Sequence, residues 1–168
     1  AEPLLDATLM DGSRIVMTLG REVSTKGSTF TIRRFRDEPF TPVDLLDFKT
    51  YSSMQIAFFW LAMQYGMSML FVGGTASGKT TTLNACSLFL PWQHKIVSIE
   101  ETRELNLPHP NWIPGCTREG FGGESAMAGV KAPGVVDMYD LLRAALRERP
   151  EYIIVGEIRG AEAYVLFQ

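Results

Sequence analysis

The chain predicts an α/β fold built on a mainly parallel sheet, preceded by a smaller antiparallel β region. Three observations carry that reading. Apolar runs at residues 69–72, 95–99 and 151–155 alternate with helix-compatible segments. The runs are mostly apolar instead of alternately polar, the pattern of strands covered on both faces. Residues 7–36 lack this alternation and carry hairpin cues instead.

The antiparallel region comes first. Asp11 and Gly12 sit between short runs and form the strongest hairpin cue in the chain. Ser13 to Leu19 reads as a strand and Gly20 to Gly27 as a polar turn. Ser28 to Phe35 is a second strand with Phe30 and Ile32 on one face. Arg14, Arg33, Arg34 and Arg36 make the segment locally basic. Two readings of these arginines stay open, a solvated strand face and a group aimed at phosphate. Residues 37–42, with Pro39 and Pro42, read as a linker.

Thr41 followed by Pro42 starts a short helix running to about Phe48. Ser52, with Gln55 three residues on, makes a capping box for a longer helix that stops at Gly66. Met54, Phe58, Leu61 and Tyr65 recur at helical spacing and are expected to face the core. Between Met54 and Gly73 no residue is charged, long enough to raise a bilayer span. Gln55, Gln64 and Gly66 interrupt it, and a buried helix followed by a buried strand accounts for the same residues.

A third helix is expected from Lys79 to about Leu90, ended by Pro91, and then a strand from Lys95 to Ile99. Residues 106–134 carry proline and glycine without a period, with Gly120 to Gly123 the most mobile-looking part. A stretch that long is either functional or partly stranded. Val136 to Glu148 is an amphipathic helix with Leu141, Leu142, Ala145 and Leu146 on one side. Pro150 ends it, the strand 151–155 follows, and a new helix begins after Gly160.

At 168 residues the prior is one domain with a sizeable core. A net charge of −3 and a pI near 5.4 give no global basic footprint, so nucleic acid is not the default partner. Cys86 and Cys116 are too few for a disulfide framework, and Cys86 reads as a buried reduced thiol. With His94 and His109 the only histidines, no metal-spaced Cys/His cluster exists. The opening residues Ala1 to Asp6 lack a basic stretch followed by an apolar core. Both ends read as internal to a longer chain.

The most specific signal lies between the first apolar run and the third helix. Gly73, four residues, then Gly78, Lys79 and Thr80 match the spacing of a phosphate-binding loop. Backbone N–H groups must close around a polyphosphate, and glycine permits that approach. The helix start adds unpaired N–H groups and a positive dipole end. Gly74, Thr75, Ala76, Ser77, Gly78, Lys79, Thr80 and Thr81 are the expected nucleotide contacts, Lys79 on the β/γ-phosphates and the Thr80 hydroxyl on Mg²⁺.

Ligands in parallel sheets sit at the carboxyl ends of strands. Three such ends carry chemistry: Gly73 onward, Glu100 onward and Gly156 onward. Hydrolysis of a γ-phosphate needs charge neutralisation and an oriented water. Glu100 is placed to polarise that water, with Glu101 beside it for the metal shell and Arg103 to steady the acids or touch phosphate. Glu157 follows a strand where an acid can hold Mg²⁺, although Gly156 occupies the usual aspartate position.

Four motifs in order now carry a resemblance. The loop from Gly73 to Thr80, the acidic box Ile99 to Glu104, the segment Val155 to Gly160, and the arginine segments Asp11 to Arg14 and Phe30 to Arg34 resemble those of the type II/type IV secretion ATPases. They are most similar to archaeal members that assemble archaella and type IV-like pili. The resemblance implies a RecA-like P-loop core spanning 43–168, truncated at its C-terminus, with residues 1–36 as the end of an N-terminal domain. It also implies ATP and Mg²⁺ and a homo-hexameric ring at the cytoplasmic side of the membrane. Such a ring would work on a membrane-embedded assembly platform, peripheral to the membrane, and drive filament assembly or protein secretion. By motif position Lys79 and Thr80 take phosphate and metal, Glu100 the catalytic acid role and Glu157 the metal side. Arg14 and Arg33 or Arg34 resemble arginines that sense the nucleotide. The sequence departs from the family by Glu101 where aspartate is common, and it stops before the family's histidine box.

Two rivals stand beside this reading. A nucleic-acid translocase of the P-loop class predicts a basic channel, which the composition does not provide. A non-hydrolysing nucleotide-binding ring subunit would keep Lys79 and tolerate loss of Glu100 and Glu157, yet both acids are present. A kinase is disfavoured because no separate acceptor-base loop is evident.

Overall fold

In the computed structural model, which describes residues 3–21, 23–118, 133–158 and 162–166, the predicted turn at Asp11 and Gly12 closes a hairpin. Strands β1 (Leu4–Thr8), β2 (Arg14–Thr18) and β3 (Thr29–Arg33) form an antiparallel sheet in the order β1-β2-β3. Gly12 turns with φ +82°, and a Cβ there would lie 3.2 Å from the Phe35 ring. Ser13 is buried behind the turn. Its backbone N–H and hydroxyl donate to the Asp11 carboxylate at 2.9 and 3.0 Å, and its hydroxyl oxygen accepts from the Phe35 N–H at 3.0 Å. One side chain thus ties the turn to the exit from β3. Phe30 and Ile32 do share a face, but that face is exposed. This sheet lies in a first unit, Ala1–Asp37, and everything below in a second, Glu38–Gln168.

Three predicted caps hold the second unit's helices. Helix α1 (Pro42–Asp47) begins at Thr41, whose side chain forms a reciprocal capping box with Asp44. Helix α2 (Ser53–Gln64) begins at Ser52 with the Gln55 box and ends before Gly66 at φ +66°. Helix α3 (Lys79–Ser87) follows the glycine loop and is about a turn shorter than expected. Among the described residues no helix is long and apolar enough to cross a membrane.

Strands β4 (Ile96–Glu100), β5 (Trp112–Cys116) and β6 (Tyr152–Val155) pair in parallel in the order β5-β4-β6. The unpatterned stretch after residue 106 therefore supplies an edge strand, where Pro114 costs no needed donor. Gly120 to Gly123 lie outside the described residues. Every residue of the central β4 is buried, the polar Ser98 and Glu100 included. Registration builds rows across the sheet: Trp112, Ile96 and Tyr152, then Pro114, Ser98 and Ile154. Ile96 and Ile154 on that face pack with Met63 of α2, Cys86 of α3, and Leu90, Leu105 and Leu107. Burial pushes the Cys86 thiol up to about 11, so it is a protonated core residue. Val97 and Ile99, on the other face, pack against Met138, Leu142 and Ala145 of helix α4 (Met138–Arg147). A short helix α5 (Glu162–Leu166) completes that side.

Three expectations are corrected. Met54, Phe58, Leu61 and Tyr65 are all exposed, and α2 turns Ile56, Phe59 and Met63 inward instead. The helix is apolar on both faces, so spacing alone had no contrast with which to choose. In α4, Leu146 is exposed while Met138 takes the inner position. The run Met69 to Val72 has the side-chain alternation of a strand, with Met69 and Phe71 against the core and Leu70 and Val72 exposed. Its backbone joins neither ladder, and strands exist only where ladder partners do.

The core face of α2 is open to test by thermal unfolding. Met63→Ala removes a buried side chain and should cost ~2–5 kcal/mol. Phe58→Ala, on the exposed face, should stay within about 0.5 kcal/mol. Equal losses would mean that α2 packs the other way round.

Candidate nucleotide site

The glycine loop is built by two positive-φ residues. Gly78 adopts φ +86° and Ala76 φ +59°, a strained conformation for a residue with a Cβ. Ser77 Oγ and Lys79 Nζ both donate to the Gly74 carbonyl, at 2.8 and 2.6 Å. A Cβ on Gly73 would come within 2.7 Å of Ser77 Oγ, so only glycine suits that position while the loop is wrapped. The loop delivers the chain to the N-terminus of α3, where the first N–H groups have no intrahelical acceptor. Gly74, Thr75, Ala76 and Ser77 are exposed; Gly78, Lys79, Thr80 and Thr81 are half-buried. The loop thus sets the Lys79 ammonium and the positive end of a helix side by side, two features that attract an anion. The next residue, Thr82, is buried and its hydroxyl meets the Tyr51 hydroxyl at 3.1 Å. Tyr51 thereby anchors α3 to the connection before α2, a contact with no signature in the sequence.

Glu100 ends β4 on the same sheet face as Ile96, the face that packs against Cys86 of α3. Its side chain is only 2% exposed. Oε1 accepts backbone N–H groups from Glu104 and Leu105, both at 2.9 Å, while Oε2 is buried with no hydrogen-bond partner among the described residues. Burial pushes the carboxyl above the ordinary glutamate range; the two N–H donors and, more weakly, the charge of Arg103 pull it down, and the charge of Glu104 adds to the rise. A buried acid with one bare oxygen is destabilising by itself and suited to take a hydrogen bond from a bound group.

The other expected residues fall around this acid or away from it. Glu101 is exposed, and its carbonyl accepts the Thr117 hydroxyl at 3.4 Å. Arg103 lies over the Trp112 ring at 5.5 Å, and Trp112 Nε1 donates to Ser98 Oγ at 2.9 Å. That stacking fixes the guanidinium near enough to Glu100 to lower its pKa. Glu157, half-buried, lies two residues beyond the end of β6, the strand beside β4. Arg159 and Gly160 lie outside the described residues. In the first unit, Arg14 and Arg33 are direct cross-strand partners. Arg14 also makes a two-point ion pair with Asp6, which holds that carboxyl below its usual range. Arg34 follows β3 and its charge reaches Asp11. The structure therefore gathers Glu100, Glu101 and Arg103 at one strand end, Glu157 at the next, and residues 74–81 at the head of α3.

Sequence reasoning read Gly156 only as the occupant of the usual aspartate position. Gly156 stands opposite Glu100 in the continued β4–β6 register, with its N–H donating to Ile99 O at 2.9 Å. Its contact with Glu100 required the register to be known. No group of three or more His, Cys, Asp or Glu residues able to hold a metal forms among the described residues. Mg²⁺ bound through one or two carboxylates and substrate phosphates needs no such group. The half-buried Thr80 hydroxyl at the loop and the half-buried Glu157 beyond β6 fit that mode.

The buried acid has a signature in stability. A glutamate whose folded pKa is raised favours folding when protonated, and that contribution is lost as pH rises through the folded value. Glu100→Gln should therefore be more stable than wild type at pH 8, by about 2–4 °C in Tm for each ~1 kcal/mol relieved. The gap should close as pH falls into the carboxylate range, measured by calorimetry across pH. A Glu100→Gln protein less stable at every pH would mean that the charge is well solvated.

Comparison with known proteins fits this geometry. The family model described as "Type II/IV secretion system protein" matches residues 2–167. An uncharacterized protein of Methanocaldococcus jannaschii is 49% identical over the whole chain, which covers 29% of that relative. The type IV secretion system protein PtlH of Bordetella pertussis is 39% identical over 66% of this chain and 31% of its own length. Among solved structures, the VirB11 ATPase of the Brucella suis type IV secretion system, in complex with sulphate, aligns with TM-score 0.53 and 27% identity. That alignment covers 97% of this chain and 52% of the other. The chain thus spans about half or less of the length of the relatives it matches. On motif, fold and similarity alike, it belongs to the type II/IV secretion system protein family.

Proposed function

We propose that this chain is the nucleotide-hydrolysing part of a secretion or filament-assembly motor, with ATP as its substrate. The observation that carries the reading is the pairing of two features on one sheet face. The loop from Gly73 to Thr80 opens α3, and the buried Glu100, with Oε2 unpartnered, ends the strand packed beneath it. The loop N–H groups and Lys79 would take the β- and γ-phosphates. Glu100 would accept a hydrogen bond from the attacking water and hold its proton at Oε2. Mg²⁺, held by the Thr80 hydroxyl with Glu157 or Glu101 on its outer side, would supply neutralisation of charge on the phosphates. The N–H groups of Glu104 and Leu105, with a smaller contribution from the charge of Arg103, would oppose the rise that burial gives the Glu100 carboxyl. Arg14, ion-paired with Asp6, and Arg33 sit directly opposite each other. Together with Arg34 they are the candidates for sensing the nucleotide.

The finer assignments belong to the same reading. Residues 1–36 would be the end of an N-terminal domain, 37–42 a linker and 43–168 part of a RecA-like core. The working assembly would be a homo-hexamer on the cytoplasmic side, peripheral to the membrane through a membrane-embedded platform protein. Archaellum, type IV pilus-like assembly and protein secretion are the candidate outputs. Family membership and the likeness to the VirB11 ATPase support these assignments.

Turnover by the full-length protein tests the chemistry. Lys79→Ala should weaken ATP binding about ten- to a hundredfold, the loss of a charge-assisted contact worth ~1.5–3 kcal/mol. Glu100→Gln should bind ATP and lose roughly 10²–10⁴ in kcat. Normal hydrolysis by Glu100→Gln would remove Glu100 from the mechanism. The rate should also fall as pH drops through a value above the ordinary glutamate range, because the working form is the ionised one. An acid limb at the ordinary value would point to a different, exposed carboxylate.

A further inference from the structure

Gly156 has no conformational reason to be glycine. Its φ lies outside the left-handed region that the turn glycines occupy. The chain bends there just past β6, with the Gly156 N–H donating to Ile99 O at 2.9 Å. What distinguishes the position is space. A Cβ at 156 would stand 3.1 Å from Glu100 Cγ, with Glu100 Cβ and Ile99 O each at 3.6 Å. Ordinary carbon contacts begin at about 3.5 Å, so the Cγ would have to move.

Glu100 has nowhere to go. It is 2% exposed, and its Oε1 is fixed by the N–H groups of Glu104 and Leu105 at 2.9 Å. On the side away from Gly156 its row is filled by Cys116 of β5. Nor can residue 156 retreat without breaking its own bond to Ile99 O. A shift of a few tenths of an ångström would therefore be taken by the hydrogen bonds that aim the carboxylate.

We infer that Gly156 is a positioning residue, whose missing side chain is the slot in which Glu100 stands. A side chain at 156, an aspartate included, and a correctly aimed glutamate at 100 exclude each other. The second acid accordingly comes one residue later, at Glu157. This inference rests on the catalytic reading of Glu100 for its effect on rate, but the steric coupling stands apart from it.

The experiment is a double-mutant cycle in the full-length protein: wild type, Gly156→Ala, Glu100→Ala and both together. Thermal stability is read for all four, with turnover and binding of a fluorescent ATP analogue for wild type and Gly156→Ala. Gly156→Ala should lower Tm in the wild-type background and leave it unchanged when residue 100 is alanine, because only the two ordinary contacts at 3.6 Å, to the residue 100 Cβ and Ile99 O, then remain. It should reduce kcat roughly ten- to a hundredfold, move the acid limb of the rate, and keep analogue affinity within about threefold. If Gly156→Ala alone fails to fold while the double variant folds, the coupling is upheld. An equal loss in both backgrounds, or failure of both to fold, would overturn it, as would a Gly156→Ala enzyme with wild-type kcat and pH profile. If wild type itself binds ATP without turnover, the catalytic reading fails while the stability cycle still decides the steric one.

Discussion

A carboxylate removed from water and held through one oxygen is the constraint on which the second unit depends. Burying Glu100 costs stability, and two backbone N–H groups only partly offset it. Those N–H groups come from Glu104 and Leu105, so the chain must bend back immediately after β4. The bend in turn sends Leu105 and Leu107 into the core beneath α3. Removing the acid from its place would therefore disturb both the reactive group and the reversal that lets β5 start beside Ile96. Chemistry and connection share one side chain.

Much of this was legible because each feature rested on local chemistry. The capping residues Thr41 and Ser52 announce their helices, Gly12 its turn, and the spacing from Gly73 to Thr80 its loop. The central strand was legible because Ile96, Val97 and Ile99 make β4 largely apolar, and it is buried on both faces. Illegible features depended on what lies across the sheet or on the far side of a helix. Gly156 reads as a missing aspartate until registration sets it against Glu100. The Tyr51–Thr82 contact joins residues thirty-one apart and leaves no pattern. The core face of α2 failed for the opposite reason: too much hydrophobicity instead of too little contrast elsewhere.

The candidate site shows a similar division. Lys79, Thr80 and Glu100 were identifiable from position in a motif, and each stands where a strand or helix end puts it. Arg103 was identifiable only as a nearby charge. Its place over the Trp112 ring, and its modest pull on the Glu100 carboxyl, emerge only in the fold. The first-unit arginines are legible as a pair only in the register that places Arg14 beside Arg33.

Helix α2 carries a last consequence. With apolar side chains on both faces, hydrophobicity alone cannot choose its rotation about its own axis. Its C-terminal end is gripped at two points. The Tyr152 hydroxyl of β6 donates to the Met63 carbonyl at 2.8 Å, and Gln64 Nε2 donates to the Phe89 carbonyl at 2.7 Å. Both bonds depend on direction, which apolar burial does not. They act as a rotational stop, so two polar contacts tell a helix with apolar residues on both faces which side is inside.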